Sequence, residues 1–140
     1  EASDVSRDAL IAGLDDPATL ALSHWCWRTC EREALAISMA ATHYAIEGAT
    51  GDWSNLVCST DTYAQTFPEA DRKKATRWLR QHAQYDDTHP WEALDIICTL
   101  LGHEPEAKQL EQLRLAICTS YRYMAMTLGR CMQMAPAKQD

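Results

Sequence analysis

Apolar and polar positions along most of the chain repeat with the period of an α-helix. The predicted helical ranges are 4–14, 17–49, 68–87, 91–102 and 104–134. Residues 52–66 fit either a weaker helix or two turns. Alternating strand patterns and internal repeats are both absent from the sequence, so the expected fold class is all-α.

Local signals place several helix ends. Asp16 is expected to cap the long second helix, with Pro17 at its first position. Gly48 and Gly51 are expected to loosen the end of that helix, and Gly102 is a good C-terminal stop. The helix that begins at Pro17 is apolar nearly all round, which predicts a central position in the bundle.

The composition narrows the possible functions. The 140 residues fit one domain spanning 1–140, and 46% of them are hydrophobic. The net charge of −7 argues against binding to nucleic acid. Because the sequence has neither a signal peptide nor an apolar run of roughly 20 residues, it predicts a cytoplasmic protein that does not span a membrane.

The cysteines do not suggest a disulfide framework. They are Cys26, Cys30, Cys58, Cys98, Cys118 and Cys131. Cys98 and Cys118 lie within apolar helical stretches, and no C-x-x-C pair is present. We therefore expect buried, reduced thiols rather than disulfides or a zinc site.

The stretch "WLRQHAQYDDTHPWE" contains a candidate metal site. On a helix that turns by about 100° per residue, His82, Asp86 and His89 project from one stripe. Two imidazoles and a carboxylate suit iron, manganese or zinc. The alternative is an exposed polar helix face, since Gln81 and Gln84 beside them are polar too. The spacing alone leaves both interpretations open.

A second signal is Glu47, near the C-terminal end of the predicted central helix. Burying a lone carboxylate costs several kcal/mol, so it needs a partner. His43 one turn earlier, an arginine from another helix, or a metal shared with the histidine stripe would each serve. In its own right, His43 is expected to be a packing or capping residue, like His24.

The segments "THYAIEGATGDWS" and "HAQYDDTHPWEAL" together resemble the C-terminal half of the heme-oxygenase-like diiron oxidase superfamily. These iron-containing redox enzymes are related to the thiaminase-II and pyrroloquinoline-quinone-synthase folds. The resemblance covers roughly residues 15–130 and implies a heme-oxygenase-like helical bundle, with this chain as part of a longer domain. It also implies metal ligands at Glu47, His82, Asp86 and His89.

The resemblance further implies an activity. Two irons would activate O₂ to oxidise a small amine, an amino acid or a fatty-acid-like substrate, with manganese and zinc as alternative metals. Tyr44 is a candidate substrate contact. The expected partners are the substrate and O₂, without nucleic acid or membrane. The remaining Glu and His ligands of the family would precede residue 1, so we expect a homo-oligomer, a missing N-terminal half or a partner chain.

Two other functions stay open at this point. The chain could be a metal-free helical binding module of the same fold. It could also be a hydrolase of the thiaminase-II type, which uses a cysteine nucleophile. Cys58 and Cys131 are the candidates for that nucleophile.

Overall fold

Helices make up most of the chain in the computed structural model, which describes residues 6–8, 16–85 and 88–134. They are α1 (Pro17–Arg32), α2 (Leu35–Met39), α3 (Gly48–Cys58), α4 (Thr62–Gln65), α5 (Arg72–Ala75), α6 (Arg77–Tyr85), α7 (His89–Leu101) and α8 (Ala107–Met134). A π-helical segment, Ala40–Glu47, joins α2 to α3, and a 3₁₀ turn, Glu69–Asp71, precedes α5. No strand occurs in the described ranges, and the all-α prediction is confirmed.

A continuous helical rod, formed by α2, the π-helical segment and α3, lies at the centre of the fold. Helices α7 and α8 both pack against its π-helical part, α1 packs against α8, and α6 packs against α3. Ala40, Ala41 and Ala45 of the rod have no exposed surface. Their small side chains allow the neighbouring helices to approach closely. The core is completed by Ala36, Ile37, Ile97, Leu113 and Ala116.

The start of α1 is tied to the end of α8. Asp16 caps α1 as predicted, since its Oδ2 accepts hydrogen bonds from the backbone N–H groups of Ala18 and Thr19. Its Oδ1 accepts a 2.8 Å hydrogen bond from Nε of Arg130. Further along the pair, Nε1 of Trp25 donates to Oγ of Ser120 at 2.8 Å. These contacts fix α1 and α8 as an antiparallel pair.

The prediction of one helix over 17–49 is wrong, because the chain turns a corner at Glu33 and Ala34. Both residues have extended backbone, with ψ of 161° and 149°. Oγ of Ser38 donates to the carbonyl oxygen of Thr29 across the corner, at 2.9 Å. The local sequence consists of good helix formers, so tertiary packing overrides propensity here.

The sequence suggested that Gly48 and Gly51 loosen the end of a helix. This is wrong, because helical structure continues through both glycines to Cys58. A Cβ on Gly48 would lie 3.3 Å from Cγ of Pro90, at the start of α7. Gly48 therefore permits a close approach between the rod and α7. The ambiguous range 52–66 contains the rest of α3 and the short α4.

The other predictions about helix ends and location have different outcomes. Gly102 terminates α7 as predicted, with a φ of 74° that favours glycine. The helix predicted over 4–14 lies almost entirely outside the described residues. None of the described helices is long and apolar enough to cross a membrane. The cytoplasmic location stays a prediction.

The corner hydrogen bond yields a stability prediction. Ser38→Ala should lower the free energy of unfolding by about 1 kcal/mol, because a buried hydrogen bond is lost while the Thr29 carbonyl keeps its bond from the Glu33 N–H. Urea unfolding measures the effect. Ser59→Ala is the matched control, because it removes an exposed hydroxyl that donates a hydrogen bond to the carbonyl oxygen of Leu56. Equal effects of the two changes would contradict the role assigned to Ser38.

The contact between Asp16 and Arg130 yields a pH prediction. The hydrogen bond from Arg130 lowers the pKa of Asp16 below its ordinary value of 3.8. A lowered folded-state pKa stabilises the fold above pH 3.8, and the stabilisation is lost as the pH falls through the folded-state value. Asp16→Asn should therefore lower Tm at about pH 6 and lower it less at about pH 2. Asp61→Asn, at a carboxylate that is 76% exposed, is the control and should change Tm at neither pH.

Candidate functional site

Several side chains that can exchange protons lie on or beside the π-helical segment. Such segments are rare and occur often at functional sites. His43, Tyr44 and Glu47 all belong to it. Helix α7 begins beside its end, at His89, because Gly48 leaves room for Pro90.

A cavity of about 320 Å³ lies between the π-helical segment and α7. Its lining consists of Met39, His43, Glu47, His89, Glu92, Ala93 and Ile96. One end is formed by carboxylates and imidazoles, and the other by apolar side chains. We call it the acid–imidazole pocket. None of the described residues that line it is a lysine, an arginine or a cysteine.

Glu47 lies between two histidines in this pocket. Its Oε1 is 3.9 Å from Nε2 of His43, and its Oε2 is 4.0 Å from Nδ1 of His89. Both distances exceed those of direct hydrogen bonds, and a small shift or one water would connect the groups. A carboxylate placed between two imidazoles has the groups needed to accept a proton from a bound water and to pass it to a neighbouring ring.

The prediction that Glu47 is buried is wrong, since its side chain is 40% exposed. The reason is that α7 and α8 cover the alanine faces of the rod, while Glu47 points into the open pocket. His43, one of the partners predicted for Glu47, lies beside it; its side chain is 53% exposed, so it is not the packed residue that was also expected. Glu92 was missed entirely. Its signal was the three-residue spacing from His89, which places both on one side of α7.

His82 is not among the residues that line the acid–imidazole pocket. It belongs to α6, where its ring stacks on Trp78 with the centroids 3.9 Å apart. Its Nδ1 is 2.9 Å from the carbonyl oxygen of Trp78. A neutral His82 that donates this hydrogen bond keeps the lone pair on Nε2. The sequence signal for the stack was the four-residue spacing of Trp78 and His82.

The predicted metal ligands are therefore only partly brought together. Glu47 and His89 are neighbours, His82 stacks on Trp78, and Asp86 lies outside the described residues. Within the described ranges, no three His, Cys, Asp or Glu side chains are arranged to hold a metal ion. The four-residue ligand set and its iron, manganese or zinc stay predictions. We derive no chemistry from a metal.

A second cluster lies where the π-helical segment meets α3 and α8. Burial raises the pKa of Tyr121, and the nearby Tyr44, Asp52 and Cys118 raise it further. Tyr44, the predicted substrate contact, is half-buried and packs against the core. That role for Tyr44 stays a prediction.

The cysteines are less buried than expected. Cys30 and Cys98 are exposed, whereas Cys26, Cys58 and Cys118 are half-buried, and all five are free thiols. Burial raises the pKa of Cys26, which disfavours its thiolate.

The predicted candidate nucleophiles were Cys58 and Cys131. Cys58 is the last residue of α3 and does not line the acid–imidazole pocket. Cys118, which was not among those candidates, lies one turn from Arg114, and Arg114 donates two hydrogen bonds to Glu111. The side chain of Cys131 lies outside the described residues.

Comparison with known proteins found matches among the solved structures. No family model and no curated protein matches the chain. The solved structures include a TenA homolog from Pseudomonas syringae pv. tomato str. DC3000, which is 54% identical with a TM-score of 0.88. The match covers 95% of this chain and 55% of that one. The chain thus spans about half the length of this relative.

This comparison confirms the heme-oxygenase-like helical fold. It also overturns the predicted activity, because a TenA homolog is a protein of the thiaminase-II type and not a diiron oxygenase. The prediction of a diiron oxidase is therefore wrong, and iron-dependent oxidoreductase chemistry has no support. The comparison does not favour the metal-free binding module either.

Proposed function

We propose that the chain forms part of a thiaminase-II-type hydrolase, which uses water to cleave a C–N bond in thiamine or a related aminopyrimidine. The observation that carries the proposal is the 54% identity to the TenA homolog over 95% of the chain. The acid–imidazole pocket supplies the groups that such a hydrolysis needs. The chain spans about half of that relative. The activity is therefore proposed for the whole protein to which this chain belongs, and not for these 140 residues alone.

Glu47 is the proposed general base. It would take a proton from water, whose oxygen then bonds to the methylene carbon of the substrate. The thiazole nitrogen leaves with the electron pair of the broken C–N bond. His43 and His89 flank the carboxylate and would carry the proton away. Met39, Ala93 and Ile96 offer an apolar wall for the heteroaromatic ring.

Water, rather than a thiol, is the proposed nucleophile because of where the cysteines lie. The acid–imidazole pocket has no cysteine in its described lining. Cys58 ends α3, and Cys118 lies in the other cluster, with Tyr44 and Tyr121. Thiol chemistry would thus have to occur outside the acid–imidazole pocket. This difference makes the two mechanisms separable by mutation.

Glu47→Gln should lower kcat for thiamine hydrolysis by about 10²–10⁴-fold, the usual contribution of a general base, with little change in KM. The measurement is chromatographic detection of the pyrimidine and thiazole products. Glu106→Gln, at an exposed position outside the pocket, is the control and should leave kcat unchanged.

Two results would revise this assignment. Full activity in Glu47→Gln would remove the glutamate from the mechanism. Loss of activity in Cys118→Ser, with Glu47→Gln active, would move the reaction to the cluster of Cys118, Tyr44 and Tyr121 and would leave the hydrolase proposal in place. A wild-type protein that hydrolyses neither thiamine nor its aminopyrimidine analogues would contradict the proposal itself.

A further inference from the structure

Cations are concentrated in one short part of this acidic chain. Five of its 13 Lys and Arg residues lie between positions 72 and 80, although the net charge of the chain is −7. These five are Arg72, Lys73, Lys74, Arg77 and Arg80. Arg72, Lys73 and Arg80 line one cavity of about 530 Å³, whereas Lys74 and Arg77 do not. Part of the cation cluster therefore surrounds a concave site.

This cavity lies where three short helical elements meet. Helix α4 contacts α5, and α5 contacts α6. We call the cavity the cationic pocket, and its polar lining consists of Asp61, Gln65, Glu69, Arg72, Lys73 and Arg80. The buried Ala64 lines it as well. Among the described residues, none lines both the cationic pocket and the acid–imidazole pocket, so the two are separate sites.

Both arginines of the cationic pocket are held through their Nε atoms. Nε of Arg72 donates a hydrogen bond to the carbonyl oxygen of Phe67 at 3.2 Å, and Nε of Arg80 donates to Oγ1 of Thr76 at 3.0 Å. Thr76 is 3% exposed, so its hydroxyl is a fixed anchor. These bonds use the single Nε–H of each guanidinium, and the paired Nη donors remain for a ligand.

The carboxylates of the pocket do not neutralise its cations. Oδ1 of Asp61 is 3.8 Å from Nη2 of Arg80, which is too long for a direct hydrogen bond. The two side chains are 76% and 59% exposed, so this ion pair is weak. Among the described residues, no carboxylate forms an ion pair with Arg72 or Lys73. An anion in the pocket would therefore meet three cations with little competition.

We propose that the cationic pocket binds a small phosphate monoester. Phosphate oxygens accept charge-assisted hydrogen bonds from guanidinium and ammonium groups, and the planar fork of an arginine matches two of those oxygens at once. A volume of about 530 Å³ lies in the range of small-molecule sites and leaves room for more than the phosphate group. Gln65 and Glu69 also line the cavity and offer oxygen acceptors for hydroxyl groups of the ester. A nucleic acid is a poorer ligand, because the net charge of −7 repels its phosphate backbone.

Calorimetric titration with glycerol 3-phosphate tests the proposal in the whole protein to which this chain belongs. Lys73→Gln combined with Arg80→Gln should weaken binding by at least about tenfold, because two charge-assisted contacts are lost. Lys74→Gln combined with Arg77→Gln removes the same charge from residues that do not line the pocket, and it should change the affinity less than about twofold. Inorganic phosphate should bind more weakly than the ester, and glycerol should not bind.

Asp61→Asn is a test that a damaged fold cannot imitate. It removes the carboxylate beside Arg80, so the affinity for glycerol 3-phosphate should rise by about twofold or more. This gain decides the question even if the variant of Lys73 and Arg80 fails to fold.

Four results would overturn the proposal: no binding of the ester by the wild-type protein, equal weakening by the two charge-removing pairs, no gain in Asp61→Asn, or equal affinity for inorganic phosphate and the ester. The proposal does not rest on the hydrolase activity. Binding is measured without thiamine, so failure of the hydrolase proposal would leave this result unaffected.

Discussion

Close packing of small side chains around the central rod is the constraint on which the rest of the structure depends. Ala40, Ala41 and Ala45 are fully buried, and larger side chains at these positions would push α7 and α8 away. The same approach brings Pro90 within reach of Gly48 and so sets His89 beside Glu47. The pocket is thus a consequence of backbone proximity, and its polar residues lie at the edge of an alanine-rich core.

The sequence predicted those features whose causes are local. Asp16 and Gly102 were assigned correctly because a cap and a positive φ are properties of a few adjacent residues. The corner at Glu33 escaped prediction because its causes are the buried hydroxyl of Ser38 and the packing of α2. The π-helical segment escaped it as well, since "AATHYAIE" differs in no local way from an α-helical sequence.

In the candidate site, too, contacts within one helix were predicted and contacts between helices were not. The spacing of His43 and Glu47 placed them together on the rod, and this holds in the structure. Spacing also joined His82 with His89, but the two residues belong to separate helices, α6 (Arg77–Tyr85) and α7 (His89–Leu101). His82 therefore follows α6 to its contact with Trp78, while His89 follows α7 to Glu47. A helical stripe predicts neighbours only as long as the helix is continuous.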